Sequence, residues 1–220
     1  MFNALKRFLS GQPKQKLHGP EGIKSMGHRT YVGGMWDEIG QLQFDFLKSG
    51  GMEPGHYLLD IACGSLRLGV KAIPYLETGH YLGIEKEQDL LDAGLREELP
   101  EGLAAEKQPK LVCSSEFEFE KFAEKPDFAI AQSLFTHLTT EMIDKCFAKL
   151  RPRMKENSKF YGTFFETDSA ASNPEQSHDH ENWFYTREEM LAFGTRNGFK
   201  ANYIGGWNHP RDQRVVEYTI

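Results

Sequence analysis

Asp60-Ile61-Ala62-Cys63-Gly64-Ser65-Leu66-Arg67-Leu68-Gly69 is the stretch whose residue types come nearest to chemistry on a nucleoside. Small residues at Ala62 and Gly64 let a backbone approach a ligand closely, and a helix starting just beyond offers free N–H groups. Glu85 follows Gly64 by about 20 residues, the distance at which an acid ending the neighbouring strand accepts both ribose hydroxyls. A dinucleotide turn asks for Gly-x-Gly-x-x-Gly, whereas Ala62, Gly64 and Arg67 stand at those positions. An arginine at the close-packing glycine, and Asp60 beside a pyrophosphate, both argue against a nicotinamide-dependent oxidoreductase. Asp60 instead suits a ligand carrying a cationic amine or sulfonium. Further along, His137 lies one helical turn beyond Gln132 and Ser133, and a histidine is a natural base for a hydroxyl. His178-Asp179-His180-Glu181 reads either as a metal-ligand run or as a solvated loop, and the polar flanks favour the loop. His209 and Arg211 would suit an anionic or polyhydroxylated acceptor.

The elements that must position these residues follow from hydrophobic period and punctuation. Apolar runs predict strands over 56–61, 81–84, 111–113, 128–131 and 160–165, and at the end over 201–204 and 214–219. Helical spacing predicts helices over 36–49, from Ser65 to Pro74, over 87–99, 140–150 and 187–196. Strands alternating with helices make parallel βαβ units, hence an α/β fold with a doubly wound, Rossmann-like sheet of seven strands. The last two strands have no helix between them, so they form a C-terminal antiparallel hairpin. Ligands of such sheets sit outside the carboxyl ends of the strands, which selects residues 60–64, 85, 113–116, 132–137 and 166. Residues 11–30 are polar and rich in Gly, Pro, Lys and His, and read as a linker. The chain divides into an N-terminal arm over 1–30 and a single domain over 31–220.

At Asp60–Leu66 the sequence resembles class I S-adenosylmethionine-dependent methyltransferases, whose Asp-x-Gly-x-Gly-x-Gly motif has this placement. It departs at two glycines, Ala62 and Leu66 here, and Leu66 implies a somewhat different loop. Cys63-Gly64-Ser65-Leu66-Arg67 is itself a variant seen in a subgroup of bacterial small methyltransferase domains, in the company of three further segments. Those are Tyr31-Val32-Gly33-Gly34, the stretch Ala131-Gln132-Ser133-Leu134-Phe135-Thr136-His137-Leu138, and Trp207-Asn208-His209-Pro210-Arg211-Asp212-Gln213. The resemblance covers roughly residues 28–220. It implies that S-adenosylmethionine is the cofactor, with Asp60 toward its amino group, Glu85 on its ribose and Lys86 beside it. Ala62, Gly64 and Leu66 would shape the loop under the cofactor. Arg67 would meet either the methionine carboxylate or a structural acid. Ser115, Glu116 and Phe117 would lie at the adenine, and Gln132 and Ser133 near the reactive methyl. Tyr31, Gly33 and Trp36 would form a lid. An acceptor pocket would draw on Trp36, His178, His180, Trp183, His209 and Arg211. His137 would be the base for a hydroxyl acceptor or a residue fixing its loop. The implied reaction is methyl transfer to a small molecule or glycan, most simply at oxygen; a nucleoside-binding scaffold without catalysis is the alternative.

Composition sets the outer bounds. Lys and Arg number 26 against 32 Asp and Glu, a formal charge of −6, which argues against a partner bound by general phosphate attraction, so no nucleic acid is expected. No stretch reaches the ~20 apolar residues needed to span a bilayer. The three cysteines, Cys63, Cys113 and Cys146, suit neither a disulfide framework nor a zinc site. They read as buried free thiols, and the cytoplasm is the default location. The apolar first ten residues are too short for a secretion signal; they suit a small amphipathic helix and leave an oligomer open.

Overall fold

A computed structural model describes residues 17–220 of the chain. The expected helix over residues 1–10 lies outside the described residues. Five parallel strands, β1 (Leu58–Ile61), β2 (Tyr81–Glu85), β3 (Lys110–Cys113), β4 (Phe128–Ala131) and β5 (Lys159–Glu166), are followed by a two-residue β6 (Phe184–Tyr185) and the hairpin of β7 (Lys200–Gly206) and β8 (Arg214–Thr219). The sheet runs β3-β2-β1-β4-β5-β8-β7, with β6 alongside the end of β5. The seven expected strands are present, and β8 lies antiparallel to both β5 and β7. The eighth, β6, is too short to show any periodicity. Every residue of β1, β2 and β4 is buried, as expected of parallel strands covered on both faces.

Helices α1 (Gly19–Met26), α2 (His28–Tyr31), α3 (Trp36–Ser49), α4 (Gly69–Tyr75), α5 (Gln88–Ala93), α6 (Leu103–Lys107), α7 (Thr140–Leu150) and α8 (Arg187–Arg196) surround the sheet. Two cores result from the two-residue alternation of each strand. Leu59 and Ile61 face a cluster with Phe147 of α7 and Phe193 of α8, whereas Leu58 and Ile130 face one with Leu47 of α3 and Ile73 of α4.

Three expectations are corrected. Residues 19–30 of the expected linker lie in two short helices; Pro20 at the start of α1 pre-sets helical φ, and Gly27 (φ 78°) separates the pair. The helix after β1 begins at Gly69, not Ser65, because residues 62–66 are taken up by a loop with left-handed residues. Cys63 and Cys146 are buried, but Cys113 is exposed, since β3 is the edge of the sheet.

Candidate functional site

The strand order reverses between β1 and β4, so their loops diverge and open a crevice at the carboxyl end of the sheet. A cavity of about 550 Å³ lies there, the size of a cofactor or drug-sized site. It is walled by the loops after β1, β2, β3 and β4, by the 177–182 segment, by the end of α2 and by Arg211 between β7 and β8.

The loop after β1 forms the floor. Ala62, Gly64 and Leu66 have φ of 60°, 56° and 68°, so all three hold the left-handed conformation that glycine favours. The loop thus keeps the handedness of a three-glycine turn although two positions carry a Cβ. Leu66 does not line the cavity; it is fully buried in the core beneath. Burial of that side chain holds the backbone in a conformation otherwise costly by ~1–2 kcal/mol. Gly40 of α3 packs on the same loop: a Cβ there would stand 2.7 Å from the Arg67 carbonyl oxygen.

Asp60 ends β1, buried on the cavity wall, and its Oδ2 accepts from the Tyr81 hydroxyl at 2.7 Å. Burial pushes its carboxyl up to about 6, against the opposing pull of Tyr81 and Arg67. Glu85 ends β2, and burial raises its carboxyl as well. Its Oε2 accepts from the Gly64 N–H at 3.0 Å, and its Oε1 from the N–H groups of Lys86 and Glu87 at 2.8 and 3.1 Å. A carboxylate offers about four acceptor sites, so one remains on Oε2 for a ligand hydroxyl, not the two the spacing suggested.

Arg67 is buried, donating to the carbonyls of Val32 and Gly34 and to Gln132 Oε1 at 2.6 Å. No acid pairs with it among the described residues; burial lowers its pKa to about 10. Two buried polar atoms on this wall lack a partner: the donor Nε of Arg67 and the acceptor Oε1 of Gln43. Gln43 is missing from the sequence-based set. The only signal for it is a polar residue within the apolar stripe of α3.

Behind them runs a polar network. Gln132 donates to Ser133 Oγ at 2.6 Å and stands 3.1 Å from His209 Nε2; Gln213 donates to Ser133 Oγ at 2.7 Å and accepts from Thr163. Ser133 and Gln132 line the cavity, but His209 sits one layer back, its pKa pulled to about 4 by burial and by the two arginines. It is therefore a neutral support for Gln132 rather than an acceptor contact.

The roof joins distant parts of the chain. Asp179 accepts from the Lys86 ammonium at 2.5 Å and from the Tyr31 hydroxyl at 2.6 Å, and the Tyr31 oxygen in turn accepts from the Gly19 N–H at 2.9 Å. Burial alone would raise the Asp179 carboxyl, but the bonds from Lys86 and Tyr31 outweigh it and hold it low. His180 stands edge-on to Tyr31 and His178 edge-on to His18, at 5.2 and 4.2 Å between centroids. No group of three His, Cys, Asp or Glu fit to hold a metal occurs among the described residues. Arg29 and His28 clamp Glu98, which ties α2 to the end of the helix after β2.

His137 lines the cavity with its Nδ1 2.7 Å from the Glu181 carbonyl oxygen. A carbonyl only accepts, so Nδ1 carries the proton and Nε2 keeps its lone pair. Burial lowers the His137 pKa, which keeps the ring neutral at pH 7.

Tyr31, Gly33, Ser115, Phe117, His178, His180 and Arg211 also reach the cavity. Four expected residues lie elsewhere, besides His209. Glu116 is exposed and pairs with Lys145 of α7. Trp183 is fully buried in the core, with its indole N–H toward the Pro174 carbonyl, and Tyr185 beside it is buried too. Trp36 is buried at the start of α3, edge-on to His28 and beneath Arg29. Leu66, already described, is the fourth.

No family model matches the chain, and no curated protein matches it. The fold, however, recurs among solved structures. The magnesium protoporphyrin IX methyltransferase of Synechocystis PCC 6803, with bound S-adenosylhomocysteine, superposes with a TM-score of 0.60 at 14% identity, over 84% of this chain and 85% of that one. The glycopeptide N-methyltransferase MtfA complexed with S-adenosylhomocysteine gives 0.62 at 14% identity, over 94% and 100%. The pyocyanin biosynthetic protein PhzM gives 0.61 at 16%, over 83% of this chain and 55% of that one. The strand order and these superpositions together give the chain the Rossmann-like fold of the class I methyltransferases.

Proposed function

We propose that the protein binds S-adenosylmethionine in this cavity and transfers its methyl group to the hydroxyl of a small molecule or glycan. The observation that carries the reading is a pair of buried, unpartnered atoms on residues that line the cavity together with Asp60. An unpartnered acceptor (Gln43 Oε1) and an unpartnered donor (Arg67 Nε) on one wall complement the ammonium and carboxylate of an amino acid. A dinucleotide has no ammonium for Gln43 and Asp60, so the oxidoreductase reading loses ground. The fold and the S-adenosylhomocysteine held by two proteins of similar architecture support the same assignment.

When bound, the cofactor supplies an electrophilic methyl on a sulfonium leaving group. The chain positions that ligand and excludes water. Glu85 would take one ribose hydroxyl on the remaining site of Oε2, Phe117 and Ser115 would border the adenine, and Asp60 and Gln43 would take the ammonium. Arg67 would take the carboxylate. His137 would accept the proton of an acceptor hydroxyl on Nε2, while its Nδ1–H, held by the Glu181 carbonyl, fixes the ring. Lys86, Tyr31 and Asp179 close the roof.

Calorimetric titration with S-adenosylhomocysteine and with NAD tests the reading. Binding of the first with no heat from the second is expected; NAD binding without S-adenosylhomocysteine binding refutes it. Binding with no S-adenosylhomocysteine released from S-adenosylmethionine over any acceptor would favour a scaffold.

A further inference from the structure

The cavity carries one cation that the cofactor reading leaves unused. Three acids line it, Asp60, Glu85 and Asp179, and each is engaged: by Tyr81, by three backbone N–H groups, and by Lys86 with Tyr31. Lys86 is thereby matched, and Arg67 would meet the cofactor's carboxylate. Arg211 also lines the cavity, yet it makes no ion pair among the described residues. Its guanidinium donates to the Gly33 carbonyl, and the neighbouring acid in sequence, Asp212, is taken by Arg214 at 2.8 Å.

Arg211 is exposed to water, and its protein neighbours add positive rather than negative charge. Arg67 lies close enough that each guanidinium feels the other's charge, and His209, 3.3 Å from the Arg211 N–H through its Nδ1, is held neutral between them. Gly33 is built to admit the side chain: its φ is 97°, and a Cβ would stand 3.0 Å from Arg211 Nη1. Charge balance points the same way. Three acids face three permanent cations, and S-adenosylmethionine carries a net positive charge, so the loaded cavity is one negative charge short.

We propose that Arg211 is the specificity residue for an acceptor bearing a carboxylate, which its planar guanidinium fork would seat beside the methyl-transfer site. The proposal rests on the methyl-transfer reading, and it narrows the acceptor from any hydroxyl compound to a hydroxy acid. The cofactor's own carboxylate is the competing source of the same chemistry, and the experiment separates the two.

The protein saturated with S-adenosylhomocysteine is titrated calorimetrically with a panel of aromatic and aliphatic hydroxy acids and, in parallel, with their methyl esters. The wild type is expected to bind at least one acid about tenfold or more tightly than its ester, and R211Q is expected to abolish the difference. Affinity of R211Q for S-adenosylhomocysteine should stay within about twofold of wild type. R211E, a second variant at the same exposed position, should reject the acids further. Equal or tighter binding of the esters by the wild type overturns the proposal. So does an R211Q variant that loses S-adenosylhomocysteine while keeping methylthioadenosine, because Arg211 would then hold the cofactor's carboxylate. Failure of the wild type to bind S-adenosylhomocysteine at all is a different result, and it refutes the underlying reading instead.

Discussion

Asp60→Asn separates the electrostatic cost of the site from its use. In the ligand-free protein, burial moves the Asp60 carboxyl from 3.8 to about 6. The folded form therefore holds the proton more tightly than the unfolded chain, and stability from this group is present below pH 3.8 and lost as pH rises through about 6. The loss amounts to about 3 kcal/mol at neutral pH, given 1.36 kcal/mol per tenfold change in proton affinity. Asparagine keeps an acceptor for the Tyr81 hydroxyl but adds a buried amide donor, which costs roughly 1–3 kcal/mol at every pH. That constant cost cancels when pH values are compared. Urea denaturation of both proteins from pH 4 to pH 7.5 should show the stability of Asp60→Asn relative to wild type rising by about 2–3 kcal/mol across the range. Ligand affinity should move the opposite way. At pH 7.5 the variant should bind S-adenosylhomocysteine about 10–100-fold more weakly, for loss of a charge-assisted bond. In the wild type affinity should fall as pH drops below about 6, where Asp60 takes up its proton, and in the variant that dependence should vanish. A stability difference flat with pH, or unchanged ligand affinity, would refute the argument that a strained acid is kept for a cationic group.

Further predictions concern the base, the floor and the roof. His137→Ala should lower turnover by about 10²–10⁴-fold while the calorimetric affinity for S-adenosylhomocysteine changes little, and the wild-type rate should decline only below pH 6.5, since burial lowers this pKa. Ala62→Gly should raise stability by about 0.5–1 kcal/mol in thermal unfolding, because glycine relieves a φ of 60° and offsets part of that gain with its unfolded-state entropy. Leu66→Gly, with a similar φ of 68°, should instead lose about 2–5 kcal/mol, since the side chain is core. Asp179→Asn should speed S-adenosylhomocysteine dissociation in stopped-flow by about tenfold, for it unpairs Lys86 and weakens the bond to Tyr31.

Legibility in the sequence followed how far each contact reaches along the chain. Asp60 and Glu85 were readable because a parallel strand end has one available direction, and the strand ends themselves are marked by apolar runs such as 81–84. Tyr31, Gln132 and His137 followed from segments whose order and placement resemble a known family. The failures share a cause as well. Glu116 follows a strand end and Trp183 stands where the resemblance implies an acceptor pocket, but position does not fix which way a side chain turns. Glu116 finds Lys145 in solvent, where an exposed ion pair forms readily, and Trp183 buries a large apolar ring that the core can use. Residues 19–30 read as part of a linker because α1 and α2 are too short to carry a helical period of their own.

The roof shows why some of the site was not readable at all. Asp179 stands in a run that reads as a solvated loop in preference to a metal-ligand set, yet its partners are Lys86 and Tyr31, 93 and 148 positions away. Nothing in a His-Asp-His-Glu run distinguishes a ligand set from a latch, since both use the same acid and the same neighbours. The distinction is made by what faces the acid, and here an ammonium faces it from the loop after β2 and a phenol from the end of α2. The same holds for Gln43 and Arg67, whose unpartnered atoms became informative only once burial was known. A polar residue in an apolar stripe is ordinary when its amide is satisfied, and it points to a ligand when its acceptor is sealed from water without a donor. The proposed chemistry of this cavity therefore rests less on its individual residues than on which of their atoms the fold leaves without a partner.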